Sequence, residues 1–322
     1  MTRPRLLITR LWPGPVLDYL RARFDCSIDE SDRALSADAL AEGMRVFDVL
    51  CPTVTDRIDA AVIGVPGRRA GLIANFGAGV DHIDLEAARR TGVAVSNTPD
   101  VLTDATADVA LMLMLMTSRR AAEGARELRE GRWRGWAPTH LLGEGLGGKT
   151  LGLIGCGRIG RAVAHRARVL GMRISYHARN RLVPEVEVAL AAEYRESLDA
   201  LVAEADIVSL HCPGSAENRH LVDDALLGRM KPSAILINTA RGNIVDEAAL
   251  ARALSSGRLS AAGLDVFEAE PHVTGSLLDC PSAVLLPHLG SATRETRVAM
   301  GMRVADNIER FLAGHPLRDR VA

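Results

Sequence analysis

Three side chains able to do chemistry stand where apolar runs of this 322-residue chain break off. Arg241 closes LINTARG (236–242), Glu270 closes AGLDVFEAEP (262–271), and His288 sits in LLPHLGSAT (285–293). Each run is rich in residues that suit buried strands, and each ends in polar or turn-forming residues. In an open α/β sheet, ligands sit beyond the carboxyl ends of the strands, so residues placed there share one rim. A guanidinium, a carboxylate and an imidazole on one rim supply what reduction of a 2-oxo acid needs. The cation binds the acid group, the imidazolium gives a proton, and the carboxylate favours the charged imidazole. The plain alternative is an ordinary Arg–Glu ion pair beside a histidine that bonds a neighbour at a strand end.

Two glycine-rich loops bear on that choice. GEGLGGKT (143–150) has the letters of a phosphate-binding loop, Gly143, then Gly148, Lys149 and Thr150. Such a loop must open a helix, whose first turn presents N–H groups to phosphate. Here Lys149 and Thr150 run straight into the strand-like LGLIG, so the segment reads as a turn into a strand. TLGLIGCGRIGRAVAHRARVLG (150–171) has the right surroundings: strand, then Gly155, Gly157 and Gly160, then helix. Gly155 permits the tight turn, Gly157 lets backbone approach a pyrophosphate, and Gly160 lets helix pack on strand. Dinucleotide binding is the expectation. Next comes MRISYHARNR (172–181), with Arg179, Asn180 and Arg181 where NAD enzymes usually place an acid. Arginine pairs with a 2′-phosphate that a carboxylate would repel, so NADPH preference is expected, with NADH possible. A solvated basic loop is the alternative.

The elements that would position these residues form two series of βα units. The first runs through RLLIT (5–9), FDCSI (24–28), VFDVL (46–50), GLIAN (71–75) and VAVS (93–96). A proline-broken link, NTPDVL, leads to one long helix from about Thr103 towards Glu130, with Thr103 or Asp104 as cap. The second series begins at KTLGLIG and continues through MRISYH, DIVSLH, AILINTA, SAAGLDVF and SAVLLPH. From Ser291 the tail reads as one helix. The expected fold is therefore α/β, two domains with parallel sheets joined by a long interdomain helix. Residues 1–100 with 291–322 would form a flavodoxin-like substrate-binding domain, and 101–290 a Rossmann domain.

Composition excludes several function classes. Thirty-nine basic against 40 acidic residues give a net charge of −1, so no global field favours nucleic acid or an anionic membrane. The longest apolar run, VALMLMLM (109–116), is less than half a membrane span and reads as a helix buried on most sides. The N-terminus lacks the apolar stretch of a signal peptide. Cysteines 26, 51, 156, 212 and 280 show no paired spacing and no zinc pattern, which suits reduced thiols in a cytoplasmic enzyme.

Taken in order, NFGAGVDHIDL, NTPDVLTDATAD, GCGRIG, NTARG, GLDVFEAEP and PHLGSAT make the chain resemble the D-isomer-specific 2-hydroxyacid dehydrogenases over essentially its whole length. The nearest branch is the glyoxylate/hydroxypyruvate reductases. The resemblance implies that Arg241 binds the substrate carboxylate and polarises the carbonyl. It makes His288 the acid/base and Glu270 its partner. It implies that backbone N–H groups of Ala78, Gly79 and Val80 receive the carboxylate, and that Ser291 touches substrate. On the cofactor side it implies Thr106, Arg158, Ile159, Thr239 and Asp265, the last holding the carboxamide. It further implies a small 2-oxo acid as partner, a cleft between the domains that closes, no metal, and a homodimer through the Rossmann domains, near Trp133 and Trp136. His140 stands where that branch often has an aromatic residue.

Other readings stay open. The chain could oxidise another D-2-hydroxy acid, such as that of 2-ketogluconate or 3-phosphoglycerate. Phosphoglycerate dehydrogenases often carry a further domain, for which little chain remains after His288. Formate dehydrogenases have glutamine at the position of Glu270. A dinucleotide-sensing corepressor on the same fold is the reading from a different class.

Overall fold

A computed structural model describes residues 3–322, which form two compact units. One runs to Leu102 and resumes at Ser291–Ala322; the other is Thr103–Gly290.

The first unit holds strands β1 Arg5–Ile8, β2 Asp25–Ile28, β3 Val49–Cys51, β4 Leu72–Ala74 and β5 Ala94–Ser96. They pair in parallel in the order β2-β1-β3-β4-β5. Leu7, Leu50, Ile73 and Val95 carry the core across the sheet to Leu40, Met44, Ile58 and Ile63. The terminal helix Arg294–Leu312 begins at Thr293, whose hydroxyl accepts the Thr296 N–H at 3.1 Å. It packs back on this unit: a Cβ on Gly301 would meet Val16 at 2.5 Å, and one on Gly71 would meet Phe311 at 2.7 Å. The last residues run beside β5, where Val321 N–H donates to Val95 O at 2.8 Å.

The second unit holds β6 Thr150–Ile154, β7 Arg173–His177, β8 Ala192–Tyr194, β9 Ile207–Leu210, β10 Ile235–Asn238, β11 Ala261–Leu264 and β12 Ala283–Leu285. All are parallel, in the order β12-β11-β10-β9-β6-β7-β8. The chain works outward from β6 to β8, then crosses back to lay β9 on the other side of β6. That reversal is where dinucleotides bind in such sheets. β6, β9, β10 and β11 are buried along their whole length, which is why they read as unbroken apolar runs. Helix Thr103–Ser118 seats on β11 because Gly263 has no side chain; a Cβ there would lie 2.9 Å from Thr117 Oγ1.

Some expectations change in detail. The long helix is two, Thr103–Ser118 and Ala121–Arg129. The Ser118 carbonyl accepts the Glu144 N–H at 2.7 Å, and Arg120 turns left-handed at φ 53°, so the helix cannot propagate. Asp104 gives its carboxylate to Arg166 at 2.9 Å, with Asp108 binding the same guanidinium at 2.7 Å. VALMLMLM is buried on most sides as expected, with only Met112 and Leu115 of the run exposed. Finally, β8 is an edge strand of three residues, too short for alternation to reveal it, while Val46 belongs to helix Ala37–Val46 rather than to β3. Lys149 and Thr150 do lead into a strand.

Candidate active site

His288 follows β12 at the carboxyl end of the sheet, with a left-handed backbone, φ 54°. A non-glycine residue holds that conformation only where its surroundings impose it. Asp265, just past β11, does so with three acceptors. Its carbonyl takes the His288 N–H at 2.9 Å, Oδ1 takes Leu289 N–H at 2.6 Å, and Oδ2 takes Gly290 N–H at 2.7 Å. Burial raises the Asp265 carboxyl above its usual range, against these bonds and the nearby His288 charge. Thr106 supports the same turn from below, donating to Gly290 O at 3.2 Å.

The His288 ring meets Glu270: Nδ1 lies 2.8 Å from Oε2. A carboxylate only accepts, so Nδ1 carries the hydrogen and Nε2 is the nitrogen left for other work. Burial pushes the Glu270 carboxyl up, but the His288 bond and charge, the Phe267 N–H (3.0 Å to Oε1) and the Arg241 charge bring it below its ordinary value. Glu270 is therefore ionised at neutral pH and surrounded by positive charge.

Arg241 follows β10. Asn238 Nδ2 holds its carbonyl at 2.8 Å, and its stem lies on Gly214, where a Cβ would come within 2.6 Å of Arg241 Cγ. The next residue, Gly242, is in backbone contact with Phe267 and Glu268; a Cβ there would overlap the Phe267 carbonyl. The Arg241 loop and the Glu270 loop thus touch because a glycine separates them. Arg241, Glu270 and His288 follow three adjacent strands, β10, β11 and β12, and the arginine and histidine both act electrostatically on the one carboxylate.

Beside them lies a dinucleotide cradle. Gly155 has φ 89°, and a Cβ on it would sit 2.8 Å from the His211 carbonyl and the Cys212 nitrogen. A Cβ on Gly160 would sit 2.6 Å from Gly155 O, so only glycine lets the helix approach the strand. Gly157 caps helix Arg158–Val169 with no side-chain bond, and a Cβ on it would point into open space. A helix start of this kind, carrying Arg158 and Ile159 in its first turn, fits a pyrophosphate. After β10, the Thr239 hydroxyl is buried with no partner among the described residues, as suits a residue lining a ligand site.

The basic residues past β7 differ from one another. Arg179 is open, its side chain 83% exposed, with Glu217 at 3.8 Å. Asn180 is exposed beside it. Arg181 is committed: Nε and Nη2 each lie 2.9 Å from a Glu187 oxygen. Glu187 also accepts from Tyr176 at 2.5 Å, and the Arg181 and Tyr176 bonds hold its carboxyl down to about 2.

In the first unit, residues 75–80 form a loop whose carbonyls are held by two asparagines. Asn75 Nδ2 binds Gly77 O at 3.0 Å and Gly79 O at 2.9 Å, and Asn97 Nδ2 binds Ala78 O at 2.7 Å. Among the described residues, no protein acceptor takes the N–H of Ala78, Gly79 or Val80. A Cβ on Gly77 would press on Val54 at 3.1 Å. Ser291 starts the return segment, and its carbonyl takes the Thr293 N–H at 2.9 Å. His82 bonds Asn75 at 3.0 Å, His140 bonds Glu127 at 3.0 Å and His220 bonds Glu268 at 2.7 Å, all structural.

Sequence reasoning missed Asn75, Asn97 and Glu187, and did not foresee that Asp265 anchors the His288 turn. Only Asn75 and Asn97 left a signal, each being a polar residue at the carboxyl end of a buried strand.

The family described as "D-isomer specific 2-hydroxyacid dehydrogenase, NAD binding domain" matches residues 111–290. The chain is 43% identical to a glyoxylate reductase of Thermococcus onnurineus, over 97% of this chain and 94% of that one. It is 43% identical to one from Aeropyrum pernix, over 98% and 94%. A solved NADPH-dependent glyoxylate/hydroxypyruvate reductase from Sinorhizobium meliloti, in complex with NADP and malonate, superposes with a TM-score of 0.88. It shares 36% identity and is covered over 97% of its length, against 100% of this chain.

Proposed function

Because the chain belongs to the D-isomer-specific 2-hydroxyacid dehydrogenases, we propose that it reduces small 2-oxo acids, glyoxylate and hydroxypyruvate first among them, to D-2-hydroxy acids, with NADPH preferred. The observation that carries this reading is the 2.8 Å contact between His288 Nδ1 and Glu270, on the rim that also bears Arg241 and the glycine cradle. Gly155, Gly157, Gly160, Thr239 and the first turn at Arg158 and Ile159 would hold a nicotinamide dinucleotide, the glycine loop at its pyrophosphate, and that cofactor would supply the hydride. Arg241 binds the carboxylate of the oxo acid and stabilises charge growing on the carbonyl oxygen. His288, its Nδ1 held by Glu270, gives the Nε2 proton to that oxygen. The N–H groups of Ala78, Gly79 and Val80 suit a carboxylate, with Ser291 as a further contact. Thr106 and Asp265 keep the His288 turn in place and border the nicotinamide.

Arg179, with Asn180, is the reader of a 2′-phosphate, since its nearest carboxylate, Glu217, lies 3.8 Å away whereas Arg181 makes two 2.9 Å bonds to Glu187. A homodimer through the dinucleotide-binding unit is proposed from Trp133, Trp136, Leu128 and Leu142, all exposed apolar side chains of one stretch. A cytoplasmic setting agrees with five free cysteines.

The deciding assay follows nicotinamide absorbance with a panel of 2-oxo acids against NADPH and NADH. Turnover of glyoxylate or hydroxypyruvate, faster with NADPH, is the expected result. Cofactor binding with no turnover on any 2-oxo acid would instead make the chain a dinucleotide sensor.

A further inference from the structure

Past β7 the two arginines are engaged to different degrees, Arg181 by Glu187 at 2.9 Å and Arg179 by Glu217 at 3.8 Å, and Glu187 is the reason. Its side chain is 13% exposed on helix Pro184–Leu190, and it binds Arg181 through two bonds of 2.9 Å. Tyr176, fully buried, donates to the same carboxylate, and its oxygen accepts the Leu182 N–H at 2.9 Å. The guanidinium of Arg181 also lies over the Tyr194 ring, 5.4 Å from its centre. The residues that follow the cofactor-reading turn are thus held by one carboxylate, and that carboxylate cancels the charge of the arginine it holds. The Arg179–Glu217 pair is longer and exposed on both sides, so water screens it.

We propose that Glu187 is a specificity-determining positioning residue. It fixes Arg181 and neutralises it, leaving Arg179 as the working cation for a 2′-phosphate and capping the preference of the enzyme for NADPH over NADH. This rests on the reading that the Arg179 turn faces the 2′ position. The two N–H groups on Nη1 of Arg181 lie outside the bidentate pair, so removing the Glu187 charge while keeping its shape returns a full positive charge to the turn. Glu187→Gln does this: the amide oxygen still accepts from Arg181 Nε and Tyr176, while the amide NH2, a donor, cannot take the second bond from Arg181 Nη2.

The test measures dissociation constants of 2′,5′-ADP and 5′-AMP for the full chain by calorimetry, at low and high salt. The two fragments differ in the 2′-phosphate. E187Q is expected to tighten 2′,5′-ADP by roughly three- to tenfold, the effect of one charge at a wet site, with 5′-AMP unchanged and the salt dependence steeper. The NADPH-to-NADH ratio of kcat/KM should rise in parallel, and Glu187→Asp, which keeps the charge, should stay near the parent. Equal weakening of both fragments in E187Q would mean that Glu187 only holds the loop, and would overturn the proposal. Arg179→Gln separates the premise from the inference. If R179Q weakens 2′,5′-ADP and E187Q does not tighten it, the NADPH reading stands and the role of Glu187 falls. If neither variant changes 2′,5′-ADP binding, both fall.

Discussion

At the scale of single residues, the site turns on how one carboxylate is surrounded. Glu270 lies below its ordinary range because the bond and charge of His288, the Phe267 N–H and the charge of Arg241 outweigh its burial. Glu270→Gln removes the charge that faces the His288 Nδ1–H at 2.8 Å, so kcat/KM for reduction should fall; full activity in that variant would detach Glu270 from the proton transfer. The stabilisation from ionised Glu270 is present above its ordinary range and is lost as pH falls through the lowered value. His288→Ala and Arg241→Ala should each cut kcat/KM by about 10²–10⁴ with cofactor affinity and circular dichroism intact. Arg241→Lys should recover little, since a point charge cannot replace a planar two-toothed donor.

At the scale of elements, glycines and one aspartate set the distances between loops. Gly160→Ala drives a methyl group into Gly155 O, 2.6 Å away, at the crossing of β6 and its helix. A cost of about 1–3 kcal/mol is expected, together with weaker dinucleotide binding, read by thermal melts with and without cofactor. Gly242→Ala forces apart the loops that bear Arg241 and Glu270, so activity should fall further than stability. Asp265→Asn replaces an acceptor of two amides by a group with one acceptor and one donor. The left-handed turn at His288 then loses a bond and gains a repulsion; turnover should drop at least about tenfold with little change in KM. Full turnover in D265N would show that the turn holds its shape without the carboxylate.

At the scale of the whole molecule, the two units have separate sheets and separate cores, and the chain leaves the first at Leu102 and rejoins it at Ser291. The exposed tryptophans, Trp133 at 52% and Trp136 at 83%, lie on the long connection after helix Ala121–Arg129. Sedimentation should give twice the 34.5 kDa chain mass, and Trp136→Glu should shift the species towards monomer. No helix among the described residues is long and apolar enough to cross a membrane.

Local chemistry decided whatever depends on a short stretch of chain. The turn after β6 needs glycine at 155, 157 and 160, and that requirement is written in adjacent letters. The same holds for buried parallel strands, whose apolar runs marked β6, β9, β10 and β11. Arg241, Glu270 and His288 were legible as three strand ends. Tertiary structure alone decided what depends on partners distant in sequence. The long helix breaks because Glu144 takes a carbonyl at Ser118, Asp265 proves to be the anchor of the His288 turn, and Arg181 is spent on Glu187 while Arg179 is open. Side-chain hydrogen bonds and charge compensation act through space, so identical residue types two positions apart acquire different roles.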